Sequence, residues 1–251
     1  MPEVLITGGA RRVGRAIARR FAQAGWHVIV HYNRSAEAAA ELAAELPDAS
    51  TVQADLGDMA ASRDMVQSLA SRLRDWRVLV SNASVFREDR VDMLDPLAAR
   101  EAMQVNAITP AALAQDYLAK ATAPSGRRVI QLTDQKLRNP NPDFFSYTMS
   151  KHAVDAAAQM MAIACHGADR VYTLAPGAIL PSHDQTPQEA ERSHRMNLLG
   201  RRTSAKEVAE AAYFLAQGQL RSGQALYVDS GQHLLAQQRD VLYLARGKEP
   251  F

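Results

Sequence analysis

Short runs rich in β-branched residues alternate with longer alanine-rich runs along almost the whole chain, and that rhythm excludes most architectures. The short runs fall at 4–7, 27–32, 50–53, 78–81, 128–132, 170–174 and 225–228. Helical periodicity occupies 13–24, 36–45, 59–73, 97–119, 147–164 and 205–216. Strands separated by helix-length connections cannot pair as hairpins. They imply crossover units and an α/β fold: a doubly wound, mostly parallel seven-stranded sheet with helices on both faces. With 251 residues, 47% of them apolar, the chain can bury a large core, and residues 1–251 are expected to form a single domain. Gly25 and Gly167 follow the first and fifth helices, where a left-handed residue ends a helix. The stretch PGAILPSHDQTPQEAERSHRMNLLGRR breaks the rhythm, so about 178–203 is expected to be a substrate-covering loop with one or two short helices. The last twenty residues are expected to close the fold or to reach a neighbouring subunit.

Composition narrows the function classes. The net charge of +2 comes from 29 basic and 27 acidic residues, which argues against nucleic acid as a partner. A single cysteine, Cys165, excludes an intrachain disulfide, fits a reducing compartment, and is expected to pack on the apolar line of a long helix. The opening MPEVLIT enters an apolar strand without a signal-like leader, and no run of about eighteen uncharged apolar residues occurs, so no membrane span and a cytoplasmic location are expected. The seven histidines show no metal-ligand spacing; His183 and His194 fall in the substrate-loop region and can meet substrate.

After the first strand comes TGGARRVG, with Gly8, Gly9 and Gly14 around Arg11, Arg12 and Val13. Glycines let a βα turn approach a pyrophosphate closely, and the following helix aims free N–H groups at the anion. At the end of the second strand stand Asn33, Arg34 and Ser35, where an adenosine ribose lies in a dinucleotide fold. An acid there would repel a 2′-phosphate; none occurs, and Arg34 and Ser35 can bind one, with Arg12 as the second basic candidate. NADPH/NADP+ is therefore favoured over NADH, although Arg34 can equally face solvent. Asp55 and Leu56 follow the third strand and suit an adenine edge and face. SNAS, with Asn82, Ala83 and Ser84, follows the fourth and gives a small-residue turn. Both also suit ordinary strand-end capping.

Tyr147 and Lys151 stand at i and i+4, one face of a helix. A phenol releases its proton near pH 10; a neighbouring ammonium is expected to lower that value, and Lys151 can also hold ribose hydroxyls. Such a pair is common by chance and gains meaning only from the nucleotide-binding turn ahead of it.

With TGGARRVG, SNAS, the Asn of QVNAITP, the Tyr147/Lys151 pair, PG after the sixth strand and GQALYVDSG near the end, the chain resembles the short-chain dehydrogenase/reductase family over almost its full length. The resemblance implies a Rossmann-type sheet, Tyr147 as proton donor, Lys151 as cofactor-orienting residue, and Asn106 as holder of a relay water. It also implies Pro176, Gly177 and Ile179 beside the nicotinamide, and a homotetramer or failing that a dimer. Two departures matter: Arg12 stands where most members keep a third glycine, and Asp134 where they keep a catalytic Ser. Both resemble the pteridine reductase branch, in which Phe86 matches an aromatic that stacks the pterin and Ser84 a small residue touching it.

An ionised Asp134 would repel the oxyanion of a ketone reduction, whereas reduction of a pterin C=N bond makes a ring nitrogen basic and calls for a proton. Asp134 also suits the cap of Gln135 or Lys136, Phe86 can simply fill space, and Asn106 can cap or kink its helix. The leading expectation is an NADPH-dependent reductase of a pterin or folate-like ring using Tyr147, Lys151, Asp134 and Asn106. A carbonyl reductase with Asp134 protonated, and a non-catalytic NADPH-binding subunit, are the alternatives.

Overall fold

The computed structural model describes residues 1–182 and 184–247; His183, expected in the substrate loop, and residues 248–251 lie outside the described residues. Seven strands form one sheet: β1 (Glu3–Ile6), β2 (His27–Tyr32), β3 (Ala49–Gln53), β4 (Trp76–Ser81), β5 (Arg128–Leu132), β6 (Arg170–Pro176) and β7 (Ala225–Val228). Their order is β3-β2-β1-β4-β5-β6-β7, and every neighbouring pair is parallel. This is the α/β Rossmann-type sheet that the alternation predicts. The order reverses between β1 and β4, where their carboxyl ends open a crevice suited to a dinucleotide.

Strand alternation divides the core into two layers. Val4, Ile6, Val28, Val30, Val78 and Val80 point to one face and pack with Ile17 and Phe21 of α1 (Arg12–Gln23) and with Val208 and Leu215 of α8 (Ala205–Ala216). Leu5, Ile29 and Leu79 point to the other face, against Leu69 of α3 (Met59–Arg72) and Leu113 and Tyr117 of α5 (Thr109–Lys120). Both faces are covered, which is why the central strands read as nearly continuous apolar runs. Truncating fully buried Leu113 to Ala would cost about 2–5 kcal/mol. Gly25 and Gly167 do adopt left-handed conformations, at φ 77° and 60°.

Three expectations change. The helix predicted over 97–119 is α4 (Pro96–Met103), a π-turn at Gln104–Ile108, and α5. Pro110 has no N–H to return to the Asn106 carbonyl, and the Thr109 N–H instead reaches back five residues to Gln104. Cys165 is not on the helix: α6 (Phe145–Ala164) ends before it, and its extended backbone starts the descent while its half-buried side chain packs on the Leu113 layer. β6 runs on to Pro176, pairing with Val228. The loop after β6 holds one short helix, α7 (Pro187–Ser193), started by a capping box between Thr186 and Glu189. Beyond β7, α9 (Val241–Ala245) packs on α7 and returns the chain to the crevice. Between β2 and β3, α2 (Ala36–Glu45) packs against both strands. Among the described residues, no helix is long and apolar enough to cross a membrane, and no His/Cys/Asp/Glu cluster is arranged for a metal.

Candidate active site

The phosphate turn is held by hydrogen bonds from three strands. Thr7 Oγ1 accepts the N–H groups of Asn82 and Ala83 at 2.9 and 3.0 Å, and Asn82 Nδ2 donates to the Thr7 and Gly8 carbonyls at 2.9 and 3.2 Å. Gly8 has φ 60°, and a Cβ on Gly14 would stand 2.3 Å from the Gly8 carbonyl oxygen and 2.7 Å from Asn82 Nδ2, so only glycine fits there. The Gly8 N–H donates to His31 Nδ1 at 3.0 Å, and His31 Nε2 meets the Ala54 carbonyl at 3.2 Å. Accepting at Nδ1 requires neutral imidazole, and burial pulls its pKa to about 4. His31 is thus a support of the turn that the sequence reading passed over; its one signal was a histidine inside a buried strand.

Arg12 has φ 53°, which explains why glycine is usual at this position. Its guanidinium reaches across to the Leu180 and Pro181 carbonyls at 3.4 and 3.2 Å, tying the turn to the segment after β6. Arg11 begins α1 and is exposed. At the end of β2, Arg34 is exposed and has no hydrogen bond or ion pair among the described residues, and Ser35 starts α2 without using its hydroxyl as a cap. The Asn33 carbonyl accepts from Gln53 at 3.1 Å. Asp55 takes the bland role at least in part, accepting the Gly57 N–H at 2.8 Å, while Leu56 is buried.

A cavity of about 560 Å³ joins the turn to the reacting groups. It brings together Gly8, Arg11, Arg12, Val13 and Gly14 with Asn82, Ala83, Ser84 and Phe86. Asp134, Tyr147, Lys151, Pro176, Gly177 and Ile179 complete its far side. Asn33, Arg34, Ser35, Asp55 and Leu56 lie at the same sheet edge outside its walls, and Asn106 lies behind them. Gly177 is closely packed, since a Cβ would be 2.7 Å from Asp229 Cβ and Gln232 Oε1.

Tyr147 sits in the first turn of α6 and donates to Asp134 Oδ2 at 2.8 Å. Asp134 follows β5 and its Oδ1 also accepts the Lys136 N–H at 2.9 Å, so the capping reading holds and leaves Oδ2 free for the Tyr147 contact. Lys151 Nζ donates to the Leu132 carbonyl at 2.9 Å and lies 5.5 Å from the Tyr147 ring centre. The expected lowering of the Tyr147 pKa is reversed: burial first, and then the Asp134 carboxylate beside it, push the phenol well above its ordinary value. Burial also lifts the Asp134 carboxyl above its usual range against the pull of Lys136, and lowers the Lys151 ammonium to about 8. Burial thus favours the uncharged forms of Tyr147, Asp134 and Lys151.

Phe86, 40% exposed, stacks on Phe144 at 4.1 Å between ring centres and meets Tyr147 edge-on at 4.7 Å. Asn106, buried in the π-turn, accepts from the Val85 N–H at 2.8 Å and the Ser84 hydroxyl at 3.1 Å. It donates to the Val85 carbonyl and to Ser150 Oγ. Its side chain clamps the strand-end loop that carries Phe86. Residues beyond the sequence expectation also reach the cavity: Gln185, Gln232, and Asp240, Val241 and Leu242 of the C-terminal segment. His194, placed in the substrate loop by sequence, is buried at its wall, and its Nδ1 lacks a partner among the described residues.

With this geometry in place, the comparisons with known proteins carry specific meaning. Residues 8–233 match the family described as Enoyl-(Acyl carrier protein) reductase. A putative ketoacyl reductase 2 of the granaticin polyketide synthase from Streptomyces violaceoruber is 30% identical over 93% of this chain and 97% of its own. Pteridine reductase 1 from Leishmania tarentolae is 28% identical over 93% and 96%. The crystal structure of FolM alternative dihydrofolate reductase 1 from Brucella canis, complexed with NADP, superposes with a TM-score of 0.88 at 35% identity, covering 95% of this chain and 96% of that one. The chain belongs to the short-chain dehydrogenase/reductase family and is related to its pteridine reductase and dihydromonapterin reductase branch.

Proposed function

We propose that the protein is an NADPH-dependent reductase of a C=N bond in a pterin or dihydrofolate-like ring. The observation that carries this reading is the 2.8 Å hydrogen bond from Tyr147 to Asp134, an acid whose carboxyl is lifted above its usual range. A phenol held well above its ordinary pKa, beside a carboxyl that burial pushes upward, can deliver a proton to a ring nitrogen that becomes basic during reduction. The dihydrofolate reductase and pteridine reductase relatives support the same substrate class.

The residues present fit NADP(H). The Gly8–Gly14 cradle has no room for a Cβ, and Arg34 and Ser35 stand uncommitted where a 2′-phosphate would be met. Gly8, Arg11, Val13 and Gly14 would hold the pyrophosphate, with Asn33 to Ser35, Asp55 and Leu56 at the adenosine. Asn82, Ala83, Pro176, Gly177 and Ile179 would line the nicotinamide end. When bound, the cofactor supplies the hydride. Lys151 has donors left beyond its bond to Leu132 and would grip ribose hydroxyls. Phe86 and Ser84 would bound the flat ring of the substrate, with Phe86 kept in place through Asn106 and Phe144. Tyr147 donates its proton to the ring nitrogen and is replenished through Asp134.

In this reading residues 1–251 act as one reductase domain, with 178–203 covering the substrate. A homotetramer is supported by exposed apolar side chains on α6, Met160 and Ile163, and a cytoplasmic setting by the free thiol of Cys165. Reduction of a carbonyl is the second reading, favoured by the 30% identical ketoacyl reductase and by the same upward-shifted Asp134 carboxyl, which would repel an oxyanion less than an ordinary aspartate does. NADPH oxidation measured in parallel with 7,8-dihydrobiopterin, dihydrofolate, a quinone and simple ketones separates the two. Much faster turnover of ketones would overturn the first. Tight NADPH binding without turnover on any of them would point to a non-catalytic subunit.

A further inference from the structure

The C-terminal segment supplies a second layer of charge behind the reacting pair. Asp240 starts α9, its Oδ1 accepting the Leu242 N–H at 2.9 Å, and it lines the cavity shared with Tyr147 and Asp134. Its Oδ2 holds the Lys136 ammonium at 2.6 Å. Lys136 is 4% exposed; its ammonium also donates to Asn141 Oδ1 and the Asp143 carbonyl, both at 3.3 Å. Fully buried Asp143 takes a fork from Arg239, with both bonds 2.9 Å, and the Asp240 N–H at 2.8 Å. A continuous line of contacts therefore runs from Tyr147 through Asp134, Lys136 and Asp240 to Asp143 and Arg239.

A buried ion pair is weak support for stability, because apolar residues of similar volume often serve as well. Its position directly behind a titrating carboxyl is the informative fact. The titratable groups acting on Asp134 are Lys136 on its own turn and Tyr147 and Lys151 on α6, while Asp240 of the C-terminal segment lines the same cavity, acts on Tyr147 and pairs with Lys136. Arg11 and Arg12 of the phosphate turn and His194 after α7 line the same cavity. Among the closest groups, Lys136, Lys151 and Arg239 oppose Asp143, Asp240 and, when ionised, Asp134. Removing one member of the Lys136–Asp240 pair leaves the other charge unopposed beside the Asp134–Tyr147 pair, in surroundings that screen charge poorly. Lys136 is the largest charge pulling Asp134 toward ionisation, and Asp240 adds to the charges that keep Tyr147 protonated.

We propose that Asp240 is a positioning residue that, by neutralising Lys136, sets the pH at which the Asp134–Tyr147 pair gives up its proton. This rests on the reading of that pair as the proton source. The proton lost is the one delivered to the substrate nitrogen, and Asp240 and Lys136 exchange none. The Lys136 backbone N–H to Asp134 survives side-chain substitution, so variants at these two positions change charge while leaving that bond possible.

The test is the pH profile of kcat/KM for NADPH-dependent reduction of 7,8-dihydrobiopterin. Asp240→Asn leaves Lys136 unopposed and is expected to move the descending limb to lower pH by about one unit. Lys136→Met leaves Asp240 unopposed and is expected to move it upward by a similar amount. The double variant should return it near wild type, and Asp240→Glu should leave it there. Limbs that stay in place while rates fall, or that move in the same direction in both single variants, would overturn the proposal. The Asp240→Asn and Asp240→Glu arms remain decisive if melting curves show Lys136→Met unfolded. Asp134→Asn separates the two levels of inference. If it leaves the limb unmoved, the proton-source reading itself fails. If it removes the limb that Asp240→Asn and Lys136→Met leave untouched, only the role of Asp240 fails.

Discussion

The phosphate end and the reacting end of the crevice are built on opposite plans. At the phosphate end, backbone and neutral side chains fix the turn, while the side chains suited to an anion, Arg34 and Ser35, have no partner of their own among the described residues. At the reacting end, Tyr147, Asp134, Lys151 and Lys136 are already bonded to protein. Under the proposed function one end would be completed by the cofactor, whereas the other is organised within the protein, which would avoid reorganisation during proton transfer. The two ends also titrate with opposite sign. His31 has a folded pKa near 4 against 6.5 ordinarily, so the unfolded chain binds the extra proton between those values and stability falls as pH drops. Asp134 has a raised folded pKa, so the folded chain keeps a proton that the unfolded chain loses above 3.8, and stability falls as pH rises through the folded value.

The contrast can be broken most forcefully at the reacting end. Tyr147→Phe should lower kcat by about 10²–10⁴-fold with NADPH affinity nearly unchanged, checked by turnover beside a direct binding titration. Unchanged turnover would remove the phenol from the chemistry. Next in size, urea unfolding should show up to about 3 kcal/mol lost between pH 6.5 and 4 from His31 alone, and His31→Gln should flatten that slope. At the phosphate end, Arg34→Ala should weaken NADPH by about 10–100-fold and NADH hardly at all, as expected for one charge-assisted contact. The smallest effect should come from Arg12→Gly. Its guanidinium is already committed to Leu180 and Pro181, so NADPH affinity should fall by less than about 1 kcal/mol. A loss larger than that of Arg34→Ala would mean that Arg12 leaves the loop to meet the phosphate.

Much of the sheet was legible because strand and helix periods are local, and the Tyr147/Lys151 spacing and the glycine turn are local too. The helix over 97–119 failed at Pro110, a readable signal whose widened turn holds Asn106 against Ser84 and Val85. The protonation of Tyr147 was misjudged because spacing shows Lys151 on the same helix face but not burial or the carboxylate in contact. His31, and the line from Asp134 to Asp240, depend on contacts between distant segments. Only the folded sheet brings the C-terminal helix to the cavity. At Asp134 the cap and the contact with Tyr147 do not compete, since each takes a different oxygen.

The central claim is that the carboxyl beside Tyr147 keeps its proton above the pH at which exposed aspartates lose theirs. NMR titration of ¹³Cγ-labelled aspartate in the cofactor-free protein, with Asp134→Asn identifying the resonance, reads this directly. A midpoint clearly above the ordinary value of about 4 is expected. A midpoint at or below it would show that the Tyr147 side of the crevice does not favour the neutral acid, and would contradict the account.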